Sequence, residues 1–256
     1  MPKSIIYYHR AYRKITGSSR LFLLELVAVT APLSLALLLL YPAITEQMSL
    51  VTQVILSPYY PADTIKVVEK SFLFGNVSVV SIAGGYPTAL TSLINFIVST
   101  GLVILLPRVR KTKNVAIFVV FLAAVNVVSA LYFILSPSEF PYTATEFSEH
   151  YVKSEICMWL FIPFILGIAF LPLPASFLPK MVLIVLTLIY SIVLGTLRYA
   201  IFLLILSKCS VIYMALLFFA FGPLSDFVYV VGIYCFYASK LAHRLKASEP
   251  VWKWVY

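Results

Sequence analysis

The sequence predicts an all-α fold: a polytopic integral membrane bundle of about six transmembrane helices with both termini cytoplasmic. Three observations carry this. The 256 residues are 62% hydrophobic and only 11% charged, and mean hydropathy is +0.99. Several apolar runs approach the roughly 20 residues that span a bilayer. The basic residues cluster in short segments between those runs, where they set orientation. The excess of 19 Lys+Arg over 10 Asp+Glu therefore marks topology and excludes a nucleic-acid footprint.

Residues 1–20 hold Lys3, Arg10, Arg13, Lys14 and Arg20 and no acid, so they read as a cytoplasmic basic segment. The segment is too long and too basic for an ordinary secretory leader, and the run after it is expected to be retained as a helix. Helix one is predicted from Leu21 to Tyr41, stopped by Pro42. Glu25 near its start either anchors at the interface or pairs with a nearby arginine. Residues 42–86 then form an external cap of short helices or strands, because Pro58, Pro61, Gly75, Gly84 and Gly85 interrupt anything long enough to cross. Asn76-Val77-Ser78 matches a glycosylation acceptor, a weak three-residue pattern.

Helix two is expected from Pro87 to Leu106, followed by Arg108, Arg110, Lys111 and Lys113. Helix three covers Asn114–Leu135. The next segment holds Glu139, Glu146, Glu149 and Glu155 against Lys153 and reads as an external loop. Helix four runs from Ile156 to Leu173 and ends in a turn rich in proline. Helix five starts at Met181 and passes Arg198 as far as Leu206. An interrupted apolar stretch closes at Gly222-Pro223, and the last helix begins near Leu224. The domain plan is thus 1–20 basic segment, 21–241 six-helix membrane domain with its cap at about 42–86, and 242–256 basic and aromatic tail. Inner segments hold 14 basic residues against four outside, Lys66, Lys70, Lys153 and Lys208. A seven-helix alternative, with 200–222 as its own span, would put the basic C-terminus outside, against that asymmetry.

The lipid bilayer is the first partner this composition implies. Cys157, Cys209 and Cys235 have no paired spacing, so neither a disulfide framework nor a metal site is expected, and no motif calls for a cofactor. Cys157, Arg198 and Asp226 lie 16, 17 and 14 residues from the inner ends of their runs. At about 1.5 Å per residue those separations are roughly 24, 26 and 21 Å, which places all three near one membrane face. Arginine in an apolar run costs at least about 2.5 kcal/mol near the bilayer centre, so Arg198 needs a partner. A fixed cation beside a thiol raises the thiolate fraction, which would make Cys157 a nucleophile. The plain alternative is that Cys157 is an ordinary helix residue and Arg198 a headgroup anchor.

The segments SEICMWL, VLGTLRYAIF and FFAFGPLSDFVYVVGIY, in this order and spacing, resemble the exosortase and archaeosortase transpeptidases over Glu155–Lys240. The resemblance implies a membrane cysteine protease, a hydrolase that cuts C-terminal sorting signals of exported proteins on the outer side of the plasma (inner) membrane. It implies Cys, Arg and His as active residues, and a membrane-anchored protein as substrate. Cys157 and Arg198 match by type and order. Where that family opens its last helix with histidine, this chain has Ser225-Asp226-Phe227. A base must reach the thiol, so either Asp226 takes the place or His150, read here as a loop residue, folds back over the site. Otherwise proteolysis is lost and the chain is an accessory scaffold of a partner membrane enzyme, such as an exopolysaccharide synthase or glycosyltransferase, with Asp226 and Arg198 as a helix clamp. A transporter is disfavoured: no inverted repeat or matching pair of interrupted helices is visible.

Overall fold

The computed structural model describes residues 19–61, 64–108, 113–173 and 175–248. The predicted basic segment before Ser19, Arg110, Lys111 and the tail from Glu249 lie outside the described residues. In order, the elements are α1 (Ser19–Leu56), β1 (Lys66–Phe72), β2 (Gly75–Ser81), α2 (Ala89–Leu105), α3 (Lys113–Leu135), α4 (Ala144–Phe170), α5 (Phe177–Lys208), α6 (Met214–Phe221) and α7 (Pro223–Ser248). Among the described residues six helical stretches are long and apolar enough to cross a membrane. The protein is a multi-pass, helical membrane protein. Its outward apolar side chains, such as Leu39, Ile97, Ile117 and Val193, are exposed because lipid, and not protein, is their solvent.

Two compact units divide the chain. One comprises residues up to Leu39, Met158–Ile192 and residues from Asp226 onward. Here Gly167 lets α4 approach α1 closely: a Cβ at this position would come within 2.8 Å of Leu26. Buried Lys180 donates to the Leu171 carbonyl at 2.8 Å. Tyr229 of α7 donates to Ser191 of α5 at 2.6 Å, the kind of interhelical hydrogen bond that serves where apolar side chains gain nothing from leaving lipid.

The other unit comprises Leu40–Cys157 and Val193–Ser225. Helix α1 does not stop at Pro42 but continues to Leu56, about 57 Å in all against a hydrocarbon core of about 30 Å. Its extension buries Tyr41, Thr45, Met48, Ser49, Thr52 and Leu56, a stripe at helical spacing, against the hairpin β1–β2. Tyr41 donates to the Phe72 carbonyl and Ser49 to the Ser78 carbonyl at 2.6 Å, while Gln53 reaches the Ile65 carbonyl at 3.4 Å. Those side chains supply what Pro42 removes: an amphipathic second half with a partner worth staying helical for. In the antiparallel hairpin, Val77, Ser78, Val79 and Val80 of β2 are all buried, whereas β1 is exposed apart from half-buried Phe72. Consecutive burial means both faces of β2 are covered, and Lys66, Glu69 and Lys70 line the edge strand, a charged edge that discourages pairing with another chain. Asn76 of the glycosylation match donates to Glu69 at 3.0 Å.

After the hairpin, Gly84 and Gly85 thread between α4 and the end of α5. A Cβ at Gly84 would lie 2.7 Å from Val211 and one at Gly85 3.0 Å from the Ser207 carbonyl. Gly85 is bonded on both sides, donating to Leu206 at 2.9 Å and accepting from Val211 at 2.8 Å. Helix α2 starts on a reciprocal capping box between Thr88 and Thr91, which satisfies two orphan donors. It pairs with α3 through Asn126, which donates to Ser99 at 2.8 Å. The interrupted stretch predicted after α5 forms a short 3-10 turn and α6.

Candidate functional site: a buried arginine and glutamate

Helix α4 begins at Ala144, well before the predicted Ile156, and that shift decides the site. Val152, Glu155, Ile156, Trp159, Ile162, Leu166 and Phe170 form its buried stripe, so Glu155 lies eleven residues inside the helix and not in a loop. Arg198 of α5 donates from Nη2 to Glu155 Oε1 at 2.8 Å, with side chains 11% and 1% exposed. Its Nη1 donates to the carbonyls of Phe221 at 3.1 Å and Gly222 at 3.2 Å, and to Ser225 Oγ. Ser225 in turn donates to the same two carbonyls at 2.6 and 2.8 Å. The guanidinium thus bridges α4 to the break between α6 and α7, where helix-terminal carbonyls carry partial negative charge.

Gly195 makes room for this pair. A Cβ there would come within 2.8 Å of Glu155 Oε2, so the carboxylate packs directly on the α5 backbone one turn from Arg198. Next to it, Tyr151 donates to the Gly195 carbonyl at 3.1 Å and stacks parallel on Tyr199, with centroids 5.4 Å apart. Tyr199 is hydrogen-bonded to Ser148 and accepts from the Val80 amide at 2.8 Å. Two adjacent sets of hydrogen bonds thus meet at Gly195, one joining α4 and α5 to the α6–α7 break and the other joining α4 and α5 to β2. A buried charge pair survives in such surroundings only when its remaining donors and acceptors are also engaged.

Cys157 is not in this network. It is exposed, as are Cys209 and Cys235. Two residues on a helix are about 200° and 3 Å apart, so Cys157 shares the level of Glu155 but projects from the opposite side of α4. It extends the exposed row Phe161, Phe164 and Ile168, the lipid-facing side. Cys157 therefore projects away from the Glu155–Arg198 pair. His150 is a residue of α4 and not of a loop. Its ring meets Tyr142 edge-on at 6.1 Å, and it helps line a cavity of about 380 Å³ with Tyr132, Phe147, Met214 and Phe218. Seven residues, about 10 Å of helix, separate it from Cys157 on the same face, beyond the contact distance a base needs. Asp226, in the first turn of α7, is buried at 1% exposure and belongs to the other unit.

Glu155 was the residue that sequence reasoning missed. The sequence marks the glycine three residues before the arginine, but nothing in it separates Glu155 from the acids of the preceding polar segment. No family model, curated protein or solved structure matches the chain.

Proposed function

We propose that this chain is a non-catalytic accessory subunit of a membrane complex, held rigid on the outer side of the plasma membrane by its buried charge pair, with both termini in the cytoplasm. The partner would be a membrane enzyme such as an exported-polysaccharide synthase or a glycosyltransferase. The observation that carries this reading is the commitment of Arg198 to Glu155, Ser225 and two backbone carbonyls, while Cys157 faces the other way. An arginine that serves a thiol would be aimed at it; this one is aimed at protein. The orientation rests on the basic inner segments.

A second reading, an exosortase-like cysteine transpeptidase acting on C-terminal sorting signals, keeps one observation in its favour. Cys157 is exposed to an incoming substrate and stands two residues along α4 from the partner of Arg198. Thiol labelling separates the two. The accessory reading expects Cys157, Cys209 and Cys235 to react with one apolar maleimide at rates within a few-fold, with Cys157 unchanged by Arg198→Ala, and expects the partner enzyme to co-purify at one-to-one stoichiometry from mild detergent. A Cys157 that reacts tenfold or more faster than the others and slows in Arg198→Ala, together with loss of sorting-signal processing in Cys157→Ser, would replace it with the transpeptidase.

A further inference from the structure

The hairpin tip is built against the usual rules for a turn in water. Strands β1 and β2 are joined by two residues, Leu73 and Phe74, between the paired Phe72 and Gly75. Two-residue hairpin loops favour glycine, asparagine or aspartate, because their backbone enters the left-handed region. Leu73 occupies that region at φ 50, alone among described non-glycine residues. A leucine held there is strained, and strain kept in place points to a role. Leu73 is 55% exposed and Phe74 89% exposed, so the strain serves no core.

The hairpin's direction gives the tip a place. The first half of α1 is apolar from Leu21 to Tyr41, and the next charged residue after Glu25 is Glu46. The 21 residues from Leu21 to Tyr41 make about 31 Å of helix, enough to cross a core of about 30 Å, which puts Tyr41 at its edge. The tip is pinned at that level: Tyr41 donates to the Phe72 carbonyl, and a Cβ on Gly75 would meet Tyr41 and Pro42 at 3.0 and 3.3 Å. The other end of the hairpin is fastened to Gln53 through Ile65, 12 residues or about 18 Å further along α1. The hairpin thus runs back from the distal end of α1 towards the membrane, tip first. Just behind the tip Lys153 lies over the Phe72 ring at 5.5 Å, and Lys70 faces Glu149 at 3.8 Å. Lys153 also pairs with Glu149 at 2.6 Å, so two ammonium groups share one carboxylate behind the tip, and an exposed apolar point backed by polar and charged side chains is the arrangement that enters the headgroup and acyl boundary.

We propose that Leu73 and Phe74 insert into the bilayer, making the β1–β2 hairpin a membrane anchor that clamps the extramembrane half of α1 to the lipid surface. The occupant of this apolar point is lipid, because the residues that fix the tip are those that end the α1 membrane run.

The test places a nitroxide at Phe74→Cys, and separately at Lys66→Cys at the far end of β1, in full-length protein carrying Cys157→Ser, Cys209→Ser and Cys235→Ser. Both are reconstituted in nanodiscs of phosphatidylcholine and phosphatidylglycerol. Oxygen, which partitions into lipid, should relax the label at 74 several-fold more effectively than a water-soluble nickel chelate, with the ratio reversed at 66. A chelate-accessible label at 74, or one shielded from both reagents, overturns the proposal. On the unmodified chain, phospholipid carrying a diazirine at the top of its acyl chain should form adducts on Leu73 and Phe74 and not on Lys66–Val68. Adducts absent from the tip, or equal at both ends, would also overturn it.

Discussion

Glu155 and Arg198 illustrate how a charge is kept inside an apolar bundle. Removing either partner leaves the other buried without its counter-charge, a loss of about 3–5 kcal/mol, whereas replacing both with apolar residues restores most of it. Glu155→Leu and Arg198→Met alone should therefore each lower the melting temperature in detergent, and the double variant should lie closer to the parent than either. Additive losses in that cycle would show that the two side chains do not act as a pair. Gly195→Ala probes the same contact from the backbone side. Its Cβ would sit 2.8 Å from the carboxylate, and overpacking of this kind costs about 1–3 kcal/mol; an unchanged melting curve would refute the close fit. Arg198 was legible in the sequence because a lone arginine in an apolar run demands a partner. Glu155 was not, since it follows three other acids that sit in or near a polar loop, and only the early start of α4 turns it inward.

At the scale of elements, the apolar runs were readable and their extensions were not. Hydropathy marks an apolar run, while α1 and α4 continue beyond theirs because protein covers one side of their added turns, at Thr45, Ser49 and Thr52 in α1 and at Phe147, Tyr151 and Val152 in α4. Tyr199 is central to that covering. It holds the buried Val80 amide at 2.8 Å and Ser148, so Tyr199→Phe leaves a strand donor unsatisfied at a cost of about 1–3 kcal/mol. Hydrogen exchange should report it as faster exchange along β2 with α2 and α3 unaffected; uniform protection in the variant would show that Val80 finds another acceptor. The α2–α3 pair offers a second case. Asn126→Leu removes its 2.8 Å hydrogen bond to Ser99, and bonds of this type are worth about 0.6–2 kcal/mol in membranes. A small drop in thermal stability is expected, and a loss beyond about 3 kcal/mol would mean the amide does more than join two helices.

For the whole molecule, an even number of spans returns the chain to the side on which it began. Fluorescent-protein and alkaline-phosphatase fusions after Lys240 should report the cytoplasm, and fusions at Ser57 and Ser136 the opposite side. A phosphatase-active C-terminal fusion would restore the seven-span alternative. The amino-acid sequence by itself determined the class and the six segments long and apolar enough to cross a membrane, because lipid imposes length and polarity on each segment separately. Only the tertiary structure decided which way those side chains face, that Glu155 and not Cys157 meets Arg198, and that β1–β2 folds back along α1. Facing and partnership depend on where each helix begins and on what packs against it, and one residue of rotation moves a side chain by about 100° without altering hydropathy at all.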